Sequence, residues 1–161
     1  MQNTQTLPLP DAEATADMAR RLAALAAPGD TYLLEGPIGA GKSHFARAFI
    51  KHLMHLAGQP EEDIPSPTFT LVQTYEIGEG EVWHADLYRL TGPDDCWELG
   101  FDTAFGSAIC LIEWPDRLGP DAPETALTLR FEPLENDAGR ILHLSASAPL
   151  WNTRLQKITG Q

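Results

Sequence analysis

A glycine-rich segment is the feature that most limits how this chain can fold. It reads GPIGAGKS over residues 36–43 and fits the phosphate-binding pattern G-x-x-x-x-G-K-[S/T]. The pattern requires an apolar strand before it and a helix after it, and the flanking sequences YLLE and HFARAF suit both. A chance match in a chain of this length is rare, on the order of one percent, given average residue frequencies. The sequence therefore predicts an α/β fold built around a phosphate-binding loop.

The residue types in this loop suit the phosphates of a nucleotide. Glycines let backbone N–H groups approach phosphate oxygens, and the N-terminus of the following helix adds partial positive charge. We expect Lys42 to reach the β- and γ-phosphates and the Ser43 hydroxyl to ligate Mg²⁺. The predicted nucleotide-binding residues of the loop are Gly36, Ile38, Gly39, Ala40, Gly41, Lys42 and Ser43.

A nucleoside triphosphatase also needs a carboxylate beside the loop, to organise Mg²⁺ or the attacking water. The run ICLIEW at residues 109–114 predicts a strand buried on both faces, with Glu113 near its end. Alternation along the strand places Trp114 on the face opposite Glu113, where a core or partner contact is expected. The alternative for Glu113 is a carboxylate that only ends a strand in solvent.

Two further polar segments are candidates for the same site. In WHADLYR, His84 and Asp86 lie two residues apart in a strand and so share a face, where they can position a water or support the metal. The alternative is an exposed polar face, and Arg89 is expected to contact either phosphate or a surface acid. In SPTFT at residues 66–70, Thr68 is a candidate sensor of the γ-phosphate, although ordinary turn chemistry explains the same residues.

The remaining patterns predict one domain over residues 1–161 with a mixed sheet between helices. Four helices are predicted. The first covers residues 11–26 with Asp11 as N-cap, and the second runs from the loop to Gly58 with a buried face made of Phe45, Phe49, Leu53 and Leu56. The other two cover about 94–99 and 150–158. The predicted strands cover 31–35 and 109–114, and two hairpins pair 69–77 with 81–88 and 125–133 with 140–146. This order is typical of the three-layer α/β fold of P-loop NTPases.

Composition excludes several classes of protein. The 23 acidic and 11 basic residues give a net charge of −12, with no basic run, so no basic face and no strong nucleic-acid binding are expected. No apolar run approaches the roughly 20 residues of a spanning helix and the N-terminus lacks a signal pattern, which indicates a cytoplasmic protein. Cys96 and Cys110 form no CxxC pair, and Cys110, which lies in the apolar run AICLIEW, is expected to be reduced and buried. His44, His52 and His55 are expected on a helix surface without a metal.

Five segments in a fixed order, GPIGAGKS, SPTFTLV, HADLYRL, ELGF and LIEWPDR, resemble the TsaE (YjeE) family of bacterial proteins over residues 9–116. Members of that family are small P-loop ATPases needed to make N6-threonylcarbamoyladenosine at position 37 of tRNAs that read codons beginning with A. Their partners TsaD and TsaB handle the tRNA itself. The resemblance thus implies that this chain uses ATP and Mg²⁺ and acts on a TsaB–TsaD complex.

By matching position, the resemblance implies a role for individual residues. Lys42 and Ser43 correspond to the phosphate lysine and the Mg²⁺ hydroxyl, Glu113 to the metal-linked acid, and Asp86 to the acid of an HxDxYR motif. The segment SPTF corresponds to a switch-like loop, and the PD step that ends at Asp11 is expected to line the adenine pocket. Three positions depart from the family pattern, at Pro37, Ser43 and Ala85.

Two functions remain open at this point. The first is an ATPase that drives the tRNA-modifying complex, with Lys42, Asp86 and Glu113 as its catalytic residues and slow turnover alone, because the sequence offers no obvious arginine finger. The second is a nucleotide-gated interaction module in which hydrolysis is incidental. A small-molecule kinase is disfavoured because no Arg-rich lid is present, and a GTPase because the base-reading motif N-K-x-D is absent.

Overall fold

A computed structural model of the chain describes residues 3–159. Its strands are β1 (Asn3–Leu9), β2 (Thr31–Glu35), β3 (Val72–Ile77), β4 (Gly80–Asp86), β5 (Ile109–Glu113), β6 (Leu127–Pro133) and β7 (Arg140–Ala146). Its α-helices are α1 (Ala12–Ala23), α2 (Lys42–Leu56), α3 (Pro93–Trp97), α4 (Phe101–Ala104) and α5 (Leu150–Thr159). A 3₁₀ segment, Pro115–Asp121, follows β5.

The strands form one sheet in the order β1-β7-β6-β2-β5-β4-β3. The central strand β2 pairs in parallel with β5 and β6, and β5 pairs in parallel with β4. The outer pairs β1–β7, β6–β7 and β3–β4 are antiparallel. The predicted mixed sheet is therefore confirmed. Because β2, β4 and β5 run in the same direction, their carboxyl ends meet at one edge of the sheet, which is where open α/β sheets bind ligands.

Helices cover both faces of the sheet and give the predicted three layers. Alternation along β2 sends Tyr32 and Leu34 into a core with α1, α2 and α5, while Leu33 packs on the other side with α3 and α4. Every residue of β5 is buried, which confirms the reading of ICLIE as a strand covered on both faces. This rigid centre holds the strand ends on which the site is built.

The two longest helices begin where the sequence predicts. Asp11 caps α1, since its Oδ1 accepts a hydrogen bond from the backbone N–H of Ala14 at 2.8 Å. α1 ends at Ala23, short of the predicted residue 26. On α2, Ile50 and Met54 extend the buried face, whereas Leu56, which was predicted to be buried, is the last residue of the helix and is 56% exposed.

The structure corrects several predicted elements. β1 was not predicted, because its polar alternation and Pro8 resemble a loop; it is an edge strand, where proline is tolerated, and pairs with β7. Residues 69–71 form a turn rather than the start of β3, since Leu71 has a φ of 70° and donates to the Pro67 carbonyl at 2.7 Å. The predicted helix over 94–99 is the shorter α3, and α4 follows it.

Two of the simpler expectations can be compared directly with the structure. Cys110 is free and buried, as predicted, and burial raises the pKa of its thiol to about 12. Cys96 is free and buried as well. Within residues 3–159, the structure contains no helix with the combined length and apolar character of a bilayer span.

Candidate functional site

A cavity of about 430 Å³ opens at the edge of the sheet where β4 and β5 end and α2 begins. The glycine-rich loop forms one wall, and strand ends and the loop before β3 form the other. The lining residues are Ile38, Gly39, Gly41, Lys42, Ser43, His44, Thr68, Asp86, Tyr88, Glu113 and Trp114. Most of the residues that the sequence singles out for nucleotide chemistry thus surround one space.

Backbone geometry explains why the loop needs glycine at its first position. Gly36 has a φ of 145°, and a Cβ built on it would lie 2.8 Å from the carbonyl oxygen of Phe131 on the neighbouring strand β6. Only glycine fits so close an approach without displacing the strand. The turn continues with a hydrogen bond from Ala40 N–H to the Pro37 carbonyl at 3.2 Å, and Gly41, with φ 107°, leads into α2.

The ammonium group of Lys42 lies at the start of the glycine-rich loop, beside Gly36. Its Nζ donates to the Gly36 carbonyl at 2.5 Å and lies 3.5 Å from the centroid of the Trp114 ring. Burial lowers the pKa of Lys42, and the nearby carboxylates of Glu113 and Asp86 oppose that shift. A cation held in a largely buried site beside backbone N–H groups is suited to anionic phosphate oxygens.

Ser43, Glu113 and His84 form a connected group below Lys42. The Ser43 hydroxyl donates to both carboxylate oxygens of Glu113, at 2.9 and 3.2 Å. The other side of the carboxylate contacts His84, whose Nε2 lies 2.7 Å from Oε2, and both side chains are at most 3% exposed. Glu113 is therefore held in place by two partners rather than ending its strand in solvent.

The oxygen donors of this group fit Mg²⁺. Magnesium is bound in proteins by one or two carboxylates or hydroxyls together with substrate phosphates and water. Ser43 and Glu113 supply a hydroxyl and a carboxylate at one point of the cavity wall. No cluster of three or more His, Cys, Asp or Glu able to hold a metal occurs within residues 3–159, so a bound Mg²⁺ would take further ligands from water and substrate phosphates.

Asp86 and Thr68 meet on the cavity wall that the strand ends and the loop before β3 form. The Thr68 hydroxyl lies 3.3 Å from Asp86 Oδ2, and Ser66 lies within hydrogen-bond distance of Thr68 at 2.9 Å. Asp86 pairs with Glu113 in the register of β4 and β5, so the two carboxylates stand side by side on neighbouring strands. Instead of forming a surface ion pair, Arg89 donates to the carbonyls of Thr68 and Phe69.

Trp114 departs from its predicted position. Alternation along β5 placed it on the face opposite Glu113, but both residues line the same cavity. The cause is the backbone: the strand ends at Glu113, and Trp114 has a φ of 58°, which turns its side chain back toward Lys42. The ring therefore forms part of the cavity wall and contacts the lysine directly.

A neighbouring cavity of about 390 Å³ adjoins the other side of the loop. Asp11 lines it together with Pro10, Ala40, Gly41 and Arg140. The expected adenine-lining residue Asp11 is thus absent from the first cavity but lies across the loop from it. Gly41 and His44 line both cavities.

Arg140 is a site residue that the sequence analysis missed. From the first position of β7 it donates through Nε to the Ala40 carbonyl and through Nη2 to the Gly39 carbonyl, each at 3.0 Å. These two hydrogen bonds satisfy loop carbonyls from behind and so help to fix the orientation of the loop's peptide groups. The only sequence signal is a basic residue after a turn glycine, and the contact spans about a hundred residues of chain.

Replacing Arg140 with Met is expected to weaken nucleotide binding by roughly tenfold, since two charge-assisted hydrogen bonds hold the loop in place. Met keeps the apolar stem of the side chain but removes the donors. Titration with a fluorescent ATP analogue measures the effect. The exposed Arg130, replaced by Met in the same way, is the control. Equal affinities for the two variants would show that Arg140 does not position the loop.

The histidines of α2 lie on the protein surface, as predicted. His44 is exposed and lies 3.0 Å from the Ala12 carbonyl, and the rings of His52 and His55 stack with centroids 5.9 Å apart.

Comparison with known proteins identifies the family to which this chain belongs. Residues 9–141 match the family described as threonylcarbamoyl adenosine biosynthesis protein TsaE. A protein of Rickettsia bellii named tRNA threonylcarbamoyladenosine biosynthesis protein TsaE is 36% identical over 137 residues, which cover 85% of this chain and 92% of that one. The protein of the same name from Bacillus subtilis is 34% identical over 130 residues, covering 80% and 78%.

Two further matches agree with these. The TsaE protein of Rickettsia felis is 43% identical over 104 residues, which cover 65% of this chain and 58% of the length of that relative. The crystal structure of YdiB from Bacillus subtilis superimposes with a TM-score of 0.77 at 26% identity and covers 99% of this chain and 97% of that one. Because the family match covers most of the chain, the protein belongs to the TsaE family of threonylcarbamoyladenosine biosynthesis proteins.

Proposed function

We propose that the chain binds ATP with Mg²⁺ and hydrolyses it to support threonylcarbamoyladenosine formation at position 37 of tRNA, acting on a complex of TsaB and TsaD homologues. Membership of the TsaE family supports the pathway. The observation that carries the ATPase assignment is the convergence of Lys42, Ser43 and Glu113 on one cavity behind a glycine-rich loop. These are the parts a phosphoryl-transfer site requires, since positioning and charge stabilisation supply most of its catalysis.

The loop and Lys42 bind the phosphates in this proposal. Backbone N–H groups at the end of the loop and the start of α2, residues 41–43, face the phosphate oxygens, and Lys42 exchanges its hydrogen bond to the Gly36 carbonyl for the β- and γ-phosphates. Asp11 and the cavity behind the loop receive the adenine. Arg140 keeps the loop in the conformation that both parts of the nucleotide need.

Ser43 and Glu113 hold Mg²⁺, which when bound neutralises charge on the β- and γ-phosphates. His84 fixes the orientation of Glu113 from the buried side through its 2.7 Å contact. Asp86 or Glu113 orients the attacking water, because the two carboxylates lie on adjacent strands at the same cavity. Thr68, whose hydroxyl donates a hydrogen bond to Asp86, is the proposed sensor of the terminal phosphate.

ATP turnover is expected to be slow for the chain alone and to rise when both partner proteins are added. Within the described residues, no arginine lines the cavity between the glycine-rich loop and the ends of β4 and β5. An arginine that a partner supplies to the transition state is worth about 10³- to 10⁵-fold in rate. Phosphate release is measured for the chain alone, with each homologue, with both, and with tRNA. A rate of phosphate release that does not change when the homologues are added would contradict the proposed partner complex. It would still support the proposal that the chain hydrolyses ATP.

A second candidate, a nucleotide-gated interaction module, is favoured by one observation. Ile38 in the glycine-rich loop and Phe69 beside Thr68 are 77% and 85% exposed. Apolar side chains that a partner protein could contact therefore flank the proposed site of the terminal phosphate. A variant that binds ATP but does not hydrolyse it separates the two functions when the reconstituted partners run many cycles. Full multiple-turnover modification would favour the module, and a single round followed by arrest would favour the ATPase.

A further inference from the structure

Arg117 is a partly buried arginine to which the function proposed above gives no role. It lies on the 3₁₀ segment that follows β5 and lines neither of the two cavities beside the glycine-rich loop. Its Nε donates to the Leu90 carbonyl at 2.9 Å and its Nη2 to the Tyr88 carbonyl at 3.2 Å, while Nη1 pairs with Asp116. All three nitrogens of the guanidinium group are therefore engaged, and two of them hold carbonyls of one short segment.

That segment is the turn after β4, residues 87–90. The parallel pairing of β4 and β5 reaches Asp86 and Glu113, and a further hydrogen bond runs from the Leu87 N–H to the Glu113 carbonyl at 3.1 Å. Beyond it the two chain segments leave the sheet, and the side chain of Arg117 connects them. The arginine thus keeps the ends of two central strands aligned past the point where the ladder stops.

Tyr88 is the residue through which this turn contacts the candidate site. Its backbone N–H donates to Asp86 Oδ1 at 3.0 Å, and its ring packs against the Trp114 ring with centroids 4.9 Å apart. The Trp114 ring in turn lies 3.5 Å from Lys42 Nζ. The N–H and C=O of one residue are separated by only two rotatable dihedral angles. Holding the Tyr88 carbonyl therefore also restrains the N–H that orients Asp86.

We propose that Arg117 is a positioning residue for ATP hydrolysis, which acts on Asp86 through the backbone of Tyr88. This role rests on the proposed function, in which Asp86 or Glu113 orients the attacking water. Arginine suits the task because its planar guanidinium group carries donors in fixed directions and can hold two carbonyls in one geometry. Phosphate binding depends on the glycine-rich loop and Lys42, so the effect is expected on turnover rather than on affinity.

A small displacement of Asp86 is enough for such an effect, since misplacing a reacting group by about 1 Å can cost about 100-fold in rate. The carboxylate has two hydrogen-bonding partners. The Tyr88 N–H lies 3.0 Å from Oδ1, whereas the Thr68 hydroxyl lies 3.3 Å from Oδ2. Loss of the shorter bond would leave Asp86 held mainly by the longer one, from a loop on the other side of the carboxylate.

The first test compares Arg117→Met with wild type, because Met keeps an apolar stem and removes the donors. We expect single-turnover phosphate release to fall at least about tenfold, while ATP affinity, measured by titration, stays within about threefold. Arg21→Met is the matched control. Arg21 of α1 likewise donates to a backbone carbonyl, that of Ile158, and pairs with Asp17, but it lines neither cavity beside the loop. We expect this control to keep both values.

A second readout needs neither ATP nor turnover. The ring current of Tyr88 acts on the neighbouring Trp114 indole, so displacing Tyr88 shifts the indole N–H resonance of Trp114 in the NMR spectrum. We expect Arg117→Met to shift that resonance and Arg21→Met to leave it in place. Trp114→Phe identifies the signal among the 4 tryptophans of the chain. Arg117→Gln, which keeps an amide donor and is expected to lose less turnover, replaces the Met variant if that variant does not fold.

Three outcomes would overturn the proposal. Wild-type turnover in a folded Arg117 variant would show that the reaction does not need this residue. Equal falls in affinity and turnover, or equal falls in the Arg117 and Arg21 variants, would point to nucleotide binding or general stability instead. An unmoved Trp114 resonance would show that Arg117 does not place Tyr88. A wild type that shows the resonance shift between variants but releases no phosphate would overturn the proposed function and leave the placement of Tyr88 standing.

Discussion

Replacing Lys42 with Ala is expected to weaken ATP binding at least about 100-fold. Hydrogen bonds to charged groups are worth roughly 1.5–3 kcal/mol each, and Lys42 is placed to contact two phosphates, so a loss of about 3 kcal/mol is expected. The loss has a second cause. Lys42 is the cation among Glu113 and Asp86, and without it these carboxylates would repel the phosphates. Calorimetric titration with ATP and Mg²⁺ measures the change.

Lys157→Ala is the matched control for this prediction, because Lys157 is an exposed lysine on α5 at a distance from the cavity. Thermal unfolding without nucleotide separates loss of binding from loss of fold. We expect the two variants to unfold at similar temperatures and only the Lys42 variant to lose the stabilisation that ATP gives to wild type. An unchanged ATP affinity in the Lys42 variant would remove the phosphate-binding role from the loop.

Local patterns were sufficient for the parts of the site that depend on a single element. The strand over 31–35, the glycine-rich loop and the start of α2 follow one another in the chain, so their geometry is encoded within about 15 residues. Glu113 was also found locally, because it lies near the end of a strand whose burial can be recognised from its sequence, and Asp86 was found because it shares a strand face with His84. That they lie side by side is a consequence of parallel pairing.

The parts that were missed depend on tertiary structure or on the sign of one dihedral angle. Trp114 lines the cavity because its φ is positive, and alternation assumes a continuing strand. Arg140 reaches the loop only because β7 is placed in the sheet beside β1 and β6.

Replacing Glu113 with Gln is expected to leave ATP binding within about threefold of wild type and to lower the turnover rate by at least about 100-fold. Removing a group that orients a nucleophile costs about 10²- to 10⁴-fold, whereas the phosphates keep Lys42 and the loop. Gln keeps the size of the side chain, so Ser43 and His84 retain a hydrogen-bonding partner. Ala would instead leave buried His84 without the contact that holds it. Single-turnover phosphate release and ATP titration are measured on the same preparation.

Glu35→Gln is the matched control for this second substitution. Glu35 is the last residue of β2, the parallel neighbour of β5, and so it ends a central strand at the same edge of the sheet. It does not line the nucleotide cavity, and burial raises the pKa of its carboxyl group, so losing its charge there should cost little. We expect this variant to keep nearly full turnover. If Glu113→Gln also turned over at the wild-type rate, Glu113 would be a structural partner of Ser43 and His84, and Asp86 would be left as the carboxylate that orients water.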